Sequence, residues 1–215
     1  MPIHKEGYPF IALFAGMNLI AFLIAFWLGF LLLPLTIWCV AFFRDPERTA
    51  PQGAGLIICP ADGKLLPVVQ AVPPEELGLG PAPRTRLSVF MNVFNVHVNR
   101  SPVTGTVIGK SYRPGKFFNA SFDKASVFNE RMSLRVRPAG EAGEARDLAV
   151  VQIAGLVARR IVCDVGPGQG VERGGRFGII RFGSRVDVYL PPGCSVVAEA
   201  GAFVRAGQTI LARFE

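Results

Sequence analysis

The chain has 215 residues, half of them hydrophobic, and a formal net charge of +7. Its four cysteines (Cys39, Cys59, Cys163 and Cys194) have no CxxC spacing, which excludes a disulfide framework, argues against a metal site and suits reduced thiols in the cytosol. The basic excess is not gathered into Lys/Arg runs with interleaved aromatics, so nucleic acid is not an expected partner.

In chain order, the first feature is an apolar run. From Tyr8 to Phe43 no residue is charged across 36 positions. A bilayer core of ~30 Å is crossed by ~20 apolar residues, whereas this run would reach ~54 Å as one helix at ~1.5 Å per residue. It is too long for one upright span. Two short spans, a hairpin dipping into one leaflet, or a kinked span with an interfacial piece all fit, with Gly16, Asn18, Gly29 and Pro34 as break points. A buried helix of a soluble domain is a poor match for so long an uncharged run. So is a signal peptide, whose apolar region is only ~7–15 residues. Residues 1–43 therefore read as a membrane-associated segment, one kinked helix or two short ones. Lys5 and Glu6 are the only charged residues before Arg44, so the whole basic excess lies on residues 44–215. There it favours anionic headgroups by roughly 1 kcal/mol per basic residue near the surface. Arg44 and Arg48 directly follow the run and place the next domain on the cytoplasmic side of the cell membrane.

The stretch "RDPERTAPQGAG" (44–55) reads as a linker, and residues 56–215 as one domain. "GLIICPADGKLLPVVQAV" (55–72) predicts two apolar strands around a turn, and "PPEELGLGPAPR" (73–84) a surface loop or lid. Further strands are predicted within 85–115, at the end of 117–140, in 148–165 and in 179–193, with a closing hairpin in 194–215. Many short strands with Gly/Pro turns indicate a β-rich α+β catalytic domain, barrel- or sandwich-like, behind an N-terminal hydrophobic helical anchor.

One predicted strand, "IIRFGSRVDVYLPPG" (179–193), is interrupted by Gly183-Ser184. The pair could be an ordinary bulge. It could also be a self-cleavage site: glycine leaves its carbonyl open to approach, and a serine hydroxyl can attack the carbonyl before it, given a base and donors for the oxyanion. If the resulting ester breaks by β-elimination, the serine becomes dehydroalanine, which hydrolyses to a pyruvoyl group and ammonia. Such a ketone forms a Schiff base with a substrate amine and draws off electrons on decarboxylation, as pyridoxal phosphate does. His97 is the only histidine in the domain and the obvious titrating base, or else a satisfied strand histidine. Asp62, in "CPADGKL", is either turn chemistry or the acid that orients His97.

Four segments taken in order, "CPADGKL", "FNVHVNRSPVTG", "GKFFNASFDKASVFNER" and "GGRFGIIRFGSRVDVYLP", resemble phosphatidylserine decarboxylase proenzymes of the short bacterial and archaeal type. The resemblance runs from "FFRDPERTAP" onward. It implies cleavage between Gly183 and Ser184 into a β chain of residues 1–183 and an α chain of residues 184–215. It further implies a covalent pyruvoyl cofactor from Ser184, and phosphatidylserine in an anionic membrane as substrate, yielding phosphatidylethanolamine and carbon dioxide. Asp62 and His97 match the family's processing triad with Ser184. Long forms carry a second histidine three residues on, where this chain has Arg100, so His97 alone would serve cleavage, decarboxylation or both. Lys116, Arg131 and Arg185 are the candidates for the substrate phosphate, being close to the motifs in sequence. A homo-oligomer is left open. The alternatives are a membrane-anchored serine peptidase, a tethered β-domain for protein interaction, and a pyruvoyl decarboxylase for another amine-bearing substrate.

Overall fold

The computed structural model describes residues 2–115, 128–140, 143–155, 160–181 and 183–215. The apolar run folds as a helical hairpin. Helix α1 (Tyr8–Ile24) and helix α2 (Phe26–Phe42) are each 17 residues long and separated by Ala25 in extended conformation. Two side chains bond across the pair: Asn18 Nδ2 donates to the Gly29 carbonyl (3.0 Å) and Thr36 Oγ1 to the Phe14 carbonyl (3.4 Å). Gly29 allows the helices to approach, since a Cβ there would lie 2.2 Å from the Phe22 ring. By length and composition, Lys5–Ile24 is long and apolar enough to cross a membrane. The hairpin tip is bare of polar groups, with Leu23, Ile24, Phe26 and Trp27 all exposed. Its two ends meet at the base, where the His4 N–H bonds the Phe43 carbonyl and the Asp45 N–H the Pro2 carbonyl, each at 2.9 Å.

The rest is the β-rich domain that the turn-punctuated pattern predicts. In chain order its strands are β1 (Leu56–Ile58), β2 (Gly63–Leu65), β3 (Val69–Ala71), β4 (Arg84–Met91) and β5 (Val98–Arg100). There follow β6 (Gly105–Arg113), β7 (Arg131–Pro138), β8 (Leu148–Ala154), β9 (Ile161–Cys163) and β10 (Gly170–Val171). The last are β11 (Arg176–Ile180), β12 (Ser184–Tyr189), β13 (Cys194–Val196), β14 (Phe203–Val204) and β15 (Ile210–Phe214). A curled sheet of nine strands runs β10-β6-β7-β8-β12-β4-β2-β14, with β3 also paired to β4. Two three-stranded sheets, β1-β15-β13 and β5-β11-β9, complete the domain. All pairings are antiparallel.

Strand parity divides the large sheet. Leu87, Val89 and Met91 of β4, Val150 of β8, and Val186 and Val188 of β12 face the main core, which the small sheets close with Ile57, Phe177, Ile180 and Leu211. The alternate residues of the same strands carry a smaller apolar cluster (Ala149, Val151, Ile153, Tyr189) and a set of buried charges. β12 lies between β8 and β4, and all six of its residues are buried.

One expectation is corrected here. Residues 44–55 are not a free linker at their start: the Asp45 carboxylate accepts from Arg100 (3.3 Å) and from Arg176 Nε (2.8 Å), which straps the segment to the domain. The 73–84 stretch is a surface loop with one 3-10 turn, Glu75–Leu77, held to the domain by buried Leu77 and by the Glu76–Arg131 pair.

Arg185 carries a test of this interior. It is 1% exposed and donates to the Asp187 carboxylate and to Ser88 Oγ (3.0 Å). Arg185→Met leaves a buried carboxylate without that cation and is expected to cost ~3–5 kcal/mol. Replacing both, as Arg185→Met with Asp187→Leu, recovers most of the loss. Unfolding of the detergent-solubilised variants measures both effects.

Candidate active site

Ser184 opens β12 with Met91 of β4 on one side and Ala154 of β8 on the other. It is fully buried, and its hydroxyl donates to Met91 Sδ at 3.3 Å, a weak acceptor. The residue before it turns the chain into the strand: Gly183 has φ +69°, and a Cβ there would meet nothing within 4 Å. The glycine is therefore required by its left-handed backbone and not by crowding. Its carbonyl, the one a Ser184 attack would strike, accepts the Gly155 N–H at 3.1 Å. A backbone donor already in place on that oxygen is the arrangement that stabilises an oxyanion.

His97 lies on the same glycine. Its Nδ1 is 2.9 Å from the Asn95 carbonyl, which can only accept, so Nδ1 bears the proton and Nε2 is the basic nitrogen. Nε2 in turn accepts the Gly183 N–H at 3.3 Å. The ring has no exposed surface. Burial is the main influence on its pKa, lowering it from 6.5 to about 4; the hydrogen bond to Asn95 and the Asp62 charge oppose this, and the Arg44 charge reinforces it. His97 is thus held neutral, with an unprotonated nitrogen beside the Gly-Ser pair. Its position follows from the turn before β5. There Asn92 Oδ1 accepts the Phe94 N–H and Asn95 Oδ1 accepts the Asn92 N–H, both at 2.9 Å, and the turn presents the Asn95 carbonyl to the imidazole.

The structure places His97 beside the Gly183-Ser184 pair. Asp62 is not hydrogen-bonded to His97. Its carboxylate is taken by the Arg48 guanidinium and by the Ala206 N–H (2.7 Å), and it acts on the imidazole only through its charge. The direct Asp–His link of the expected triad is replaced by the Asn95 carbonyl. Arg185 and Arg131 are also corrected. Both pair with Ile153 across the sheet, whereas Ser184 pairs with Ala154, so both arginines lie on the opposite face from the serine. There Arg185 is bound to Asp187, and Arg131 donates to Glu76 at 2.8 and 2.9 Å beside a 230 Å³ cavity. Neither reaches Ser184. Lys116 falls outside the described residues. Arg100, at the place of the long forms' second histidine, binds the Gly174 and Pro46 carbonyls at 2.8 Å each and serves as a structural clamp.

Sequence reasoning missed several groups. Asn95 had a readable signal, an Asn-bounded turn two residues before the histidine. Gly155 had only its place after a long apolar strand. Nothing marked Phe42: its ring centroid lies 4.2 Å from that of His97, yet in the sequence it is one aromatic among many in an apolar run. Among the described residues no group of three or more His, Cys, Asp or Glu is placed to hold a metal ion.

Comparison with known proteins bears on this site. The family model described as phosphatidylserine decarboxylase matches residues 35–212. A phosphatidylserine decarboxylase proenzyme of Cereibacter sphaeroides is 56% identical over 98% of this chain and 89% of its own length. Proteins of the same name from Ruegeria pomeroyi and Paramagnetospirillum magneticum are 53% and 55% identical, again over 98% of this chain and over 94% and 86% of theirs. The matched span takes in His97, Gly155, Gly183 and Ser184, and on that agreement the chain belongs to the phosphatidylserine decarboxylase family of enzymes.

Proposed function

We propose that this chain is a proenzyme that cuts itself between Gly183 and Ser184 and then decarboxylates phosphatidylserine to phosphatidylethanolamine. The observation that carries the reading is the Gly183 residue itself, with a donor on its carbonyl and the neutral Nε2 of His97 on its N–H.

In the first step Ser184 Oγ leaves Met91 Sδ by rotation about χ1 and attacks the Gly183 carbonyl carbon. His97 Nε2 takes the hydroxyl proton. The Gly155 N–H holds the oxyanion, and the C–N bond breaks as His97 passes that proton to the departing nitrogen of residue 184, which leaves the ester. Loss of the Cα proton of residue 184 then expels the Gly183 carboxylate and leaves dehydroalanine. Its imine tautomer takes up water and releases ammonia, leaving a pyruvoyl group. Position 184 suits such a group: it is fully buried, with a neutral imidazole on the adjoining glycine. There the pyruvoyl supplies a ketone that binds a primary amine and accepts electrons when carbon dioxide leaves. Around it, His97 can take the proton that the headgroup amine must lose, and the dry walls exclude competing water.

The hairpin supports a membrane substrate. Each helix rises ~25 Å, close to the ~30 Å of a bilayer core. Both ends return to the face that carries the domain, so the chain enters and leaves the lipid on one side. Arg44 follows the run directly, which favours the cytoplasmic side. Phe94, largely exposed, lies beside it with its carbonyl accepting from Arg44 at 2.7 Å. Arg44 at this base and Lys116 are the candidates for the substrate phosphate; Asp62 acts on His97 through its charge.

Three outcomes are expected. Wild-type protein separates on a denaturing gel into pieces of 183 and 32 residues, while Ser184→Ala remains one chain without decarboxylase activity. A whole chain with an intact serine that still decarboxylates would refute the proposal. His97→Ala slows the appearance of the small piece by ~10²–10⁴-fold in a pulse-chase. The pH profile of that cleavage follows from the buried ring. The base must be unprotonated, so the rate is flat across roughly pH 5–8 and falls through about 4. A profile that breaks at 6.5 would mean His97 is solvated when it acts.

A further inference from the structure

The hairpin reaches the active site. Phe42, in the last turn of α2, is 1% exposed, and its ring lies over the His97 imidazole with centroids 4.2 Å apart and planes 31° apart. Phe43 braces it edge-on at 5.0 Å and Trp38 at 5.7 Å. Cys39, Phe42 and Phe43 form one apolar cluster with Val96 and Val98, the chain neighbours of His97, and with Ile179 of β11, which pairs with Val98. A second contact reaches the same histidine from another direction. Arg44, directly after the hairpin, donates to the Phe94 carbonyl (2.7 Å), inside the turn whose Asn95 carbonyl orients Nδ1. The imidazole is thus fixed at both nitrogens by backbone groups and on one face by a side chain of the lipid-directed hairpin.

We propose that Phe42 is a positioning residue: its ring clamps the His97 imidazole with Nε2 on Gly183, so self-cleavage requires a seated hairpin and not merely a tethered domain. This rests on the reading of His97 as the base. Physically, the ring does two things. It blocks rotation of the imidazole about χ2, which would exchange the donor and acceptor nitrogens. It also closes one face to water, and burial is the dominant influence that keeps His97 neutral. An aromatic face also attracts a cation, but here that weaker preference opposes the burial and does not overcome it. The charged groups that act on the imidazole are Arg44, just after the hairpin, and Asp62, in the turn before β2, whose partner Arg48 lies in the 44–55 segment. None of them is changed by substitution at Phe42.

The test uses the full-length Ser184→Ala chain, uncut, in lipid nanodiscs with ¹⁵N-labelled histidine. The chain has two histidines, and His4→Gln assigns them. Phe42→Ala is expected to raise the His97 titration midpoint by a unit or more and to abolish its fixed Nδ1–H tautomer; Phe42→Tyr keeps both. In the cleavage-competent chain, Phe42→Ala slows self-cleavage at least tenfold and moves its acid limb to higher pH, and Phe42→Tyr restores both. If Phe42→Ala yields no folded protein, Phe42→Leu carries the comparison, with a smaller shift in the same direction and a rate again rescued by tyrosine. An unchanged His97 midpoint and tautomer in the folded variant overturns the clamp. A shifted His97 signal with an unchanged cleavage rate leaves the clamp standing and overturns His97 as the base.

Discussion

The structure depends on where one peptide bond is buried. Gly183-Ser184 lies at the head of β12, a strand with neighbours on both edges and no exposed residue. A serine so placed cannot be reached by an outside base or a foreign peptide. A base for the uncut serine has to come from this chain, already aligned, and the surrounding features fit that requirement. The left-handed glycine turns its carbonyl towards Gly155. The Asn-bounded turn sets the histidine's tautomer. The hairpin closes the remaining face. A dry site also strengthens each of these contacts, since hydrogen bonds and charges act more strongly where water cannot compete.

The buried charges belong to the other face of the same sheet. Asp147 is fully buried and accepts from Arg135 Nε (2.6 Å) and Arg137 Nε (2.8 Å). Burial alone would raise its pKa, but the hydrogen bonds from the two arginines together outweigh it and hold the carboxyl below its usual value. With the Arg185–Asp187 pair this makes a rigid polar layer behind β12, while the reactive face in front carries almost nothing charged. The separation follows from the two-residue period of a strand. One face is left free to be apolar and to hold an uncharged base.

How much of this was legible in the sequence varies by residue. The β-rich class, the apolar hairpin segment, and the grouping of Gly183, Ser184 and His97 could all be read, because punctuation by Gly and Pro, absence of charge and a single domain histidine are one-dimensional signals. The misplacement of Arg185 was avoidable. A residue next to Ser184 in a strand must point away from it, and that parity was on the page. Arg131 required the register of β7 against β8, which no local pattern encodes. The partner of Asp62 was hidden for a different reason: Arg48 lies in a segment that reads as linker, so nothing local shows that the carboxylate is bound to a guanidinium. Phe42 could not be found at all, because in an apolar run the residue that touches the protein looks the same as those that touch lipid.

The placement of β12 has a consequence for the proposed processing. A break just ahead of this strand frees one chain end but no structural element. β12 is zipped to β4 and β8, and β15 to β1, and these three partner strands all lie on the 1–183 side of Gly183-Ser184. A cut at the proposed bond would therefore change covalent connectivity while these strand pairs stay in place, and the shorter piece would be retained as an inlaid part rather than lost as a leaving peptide.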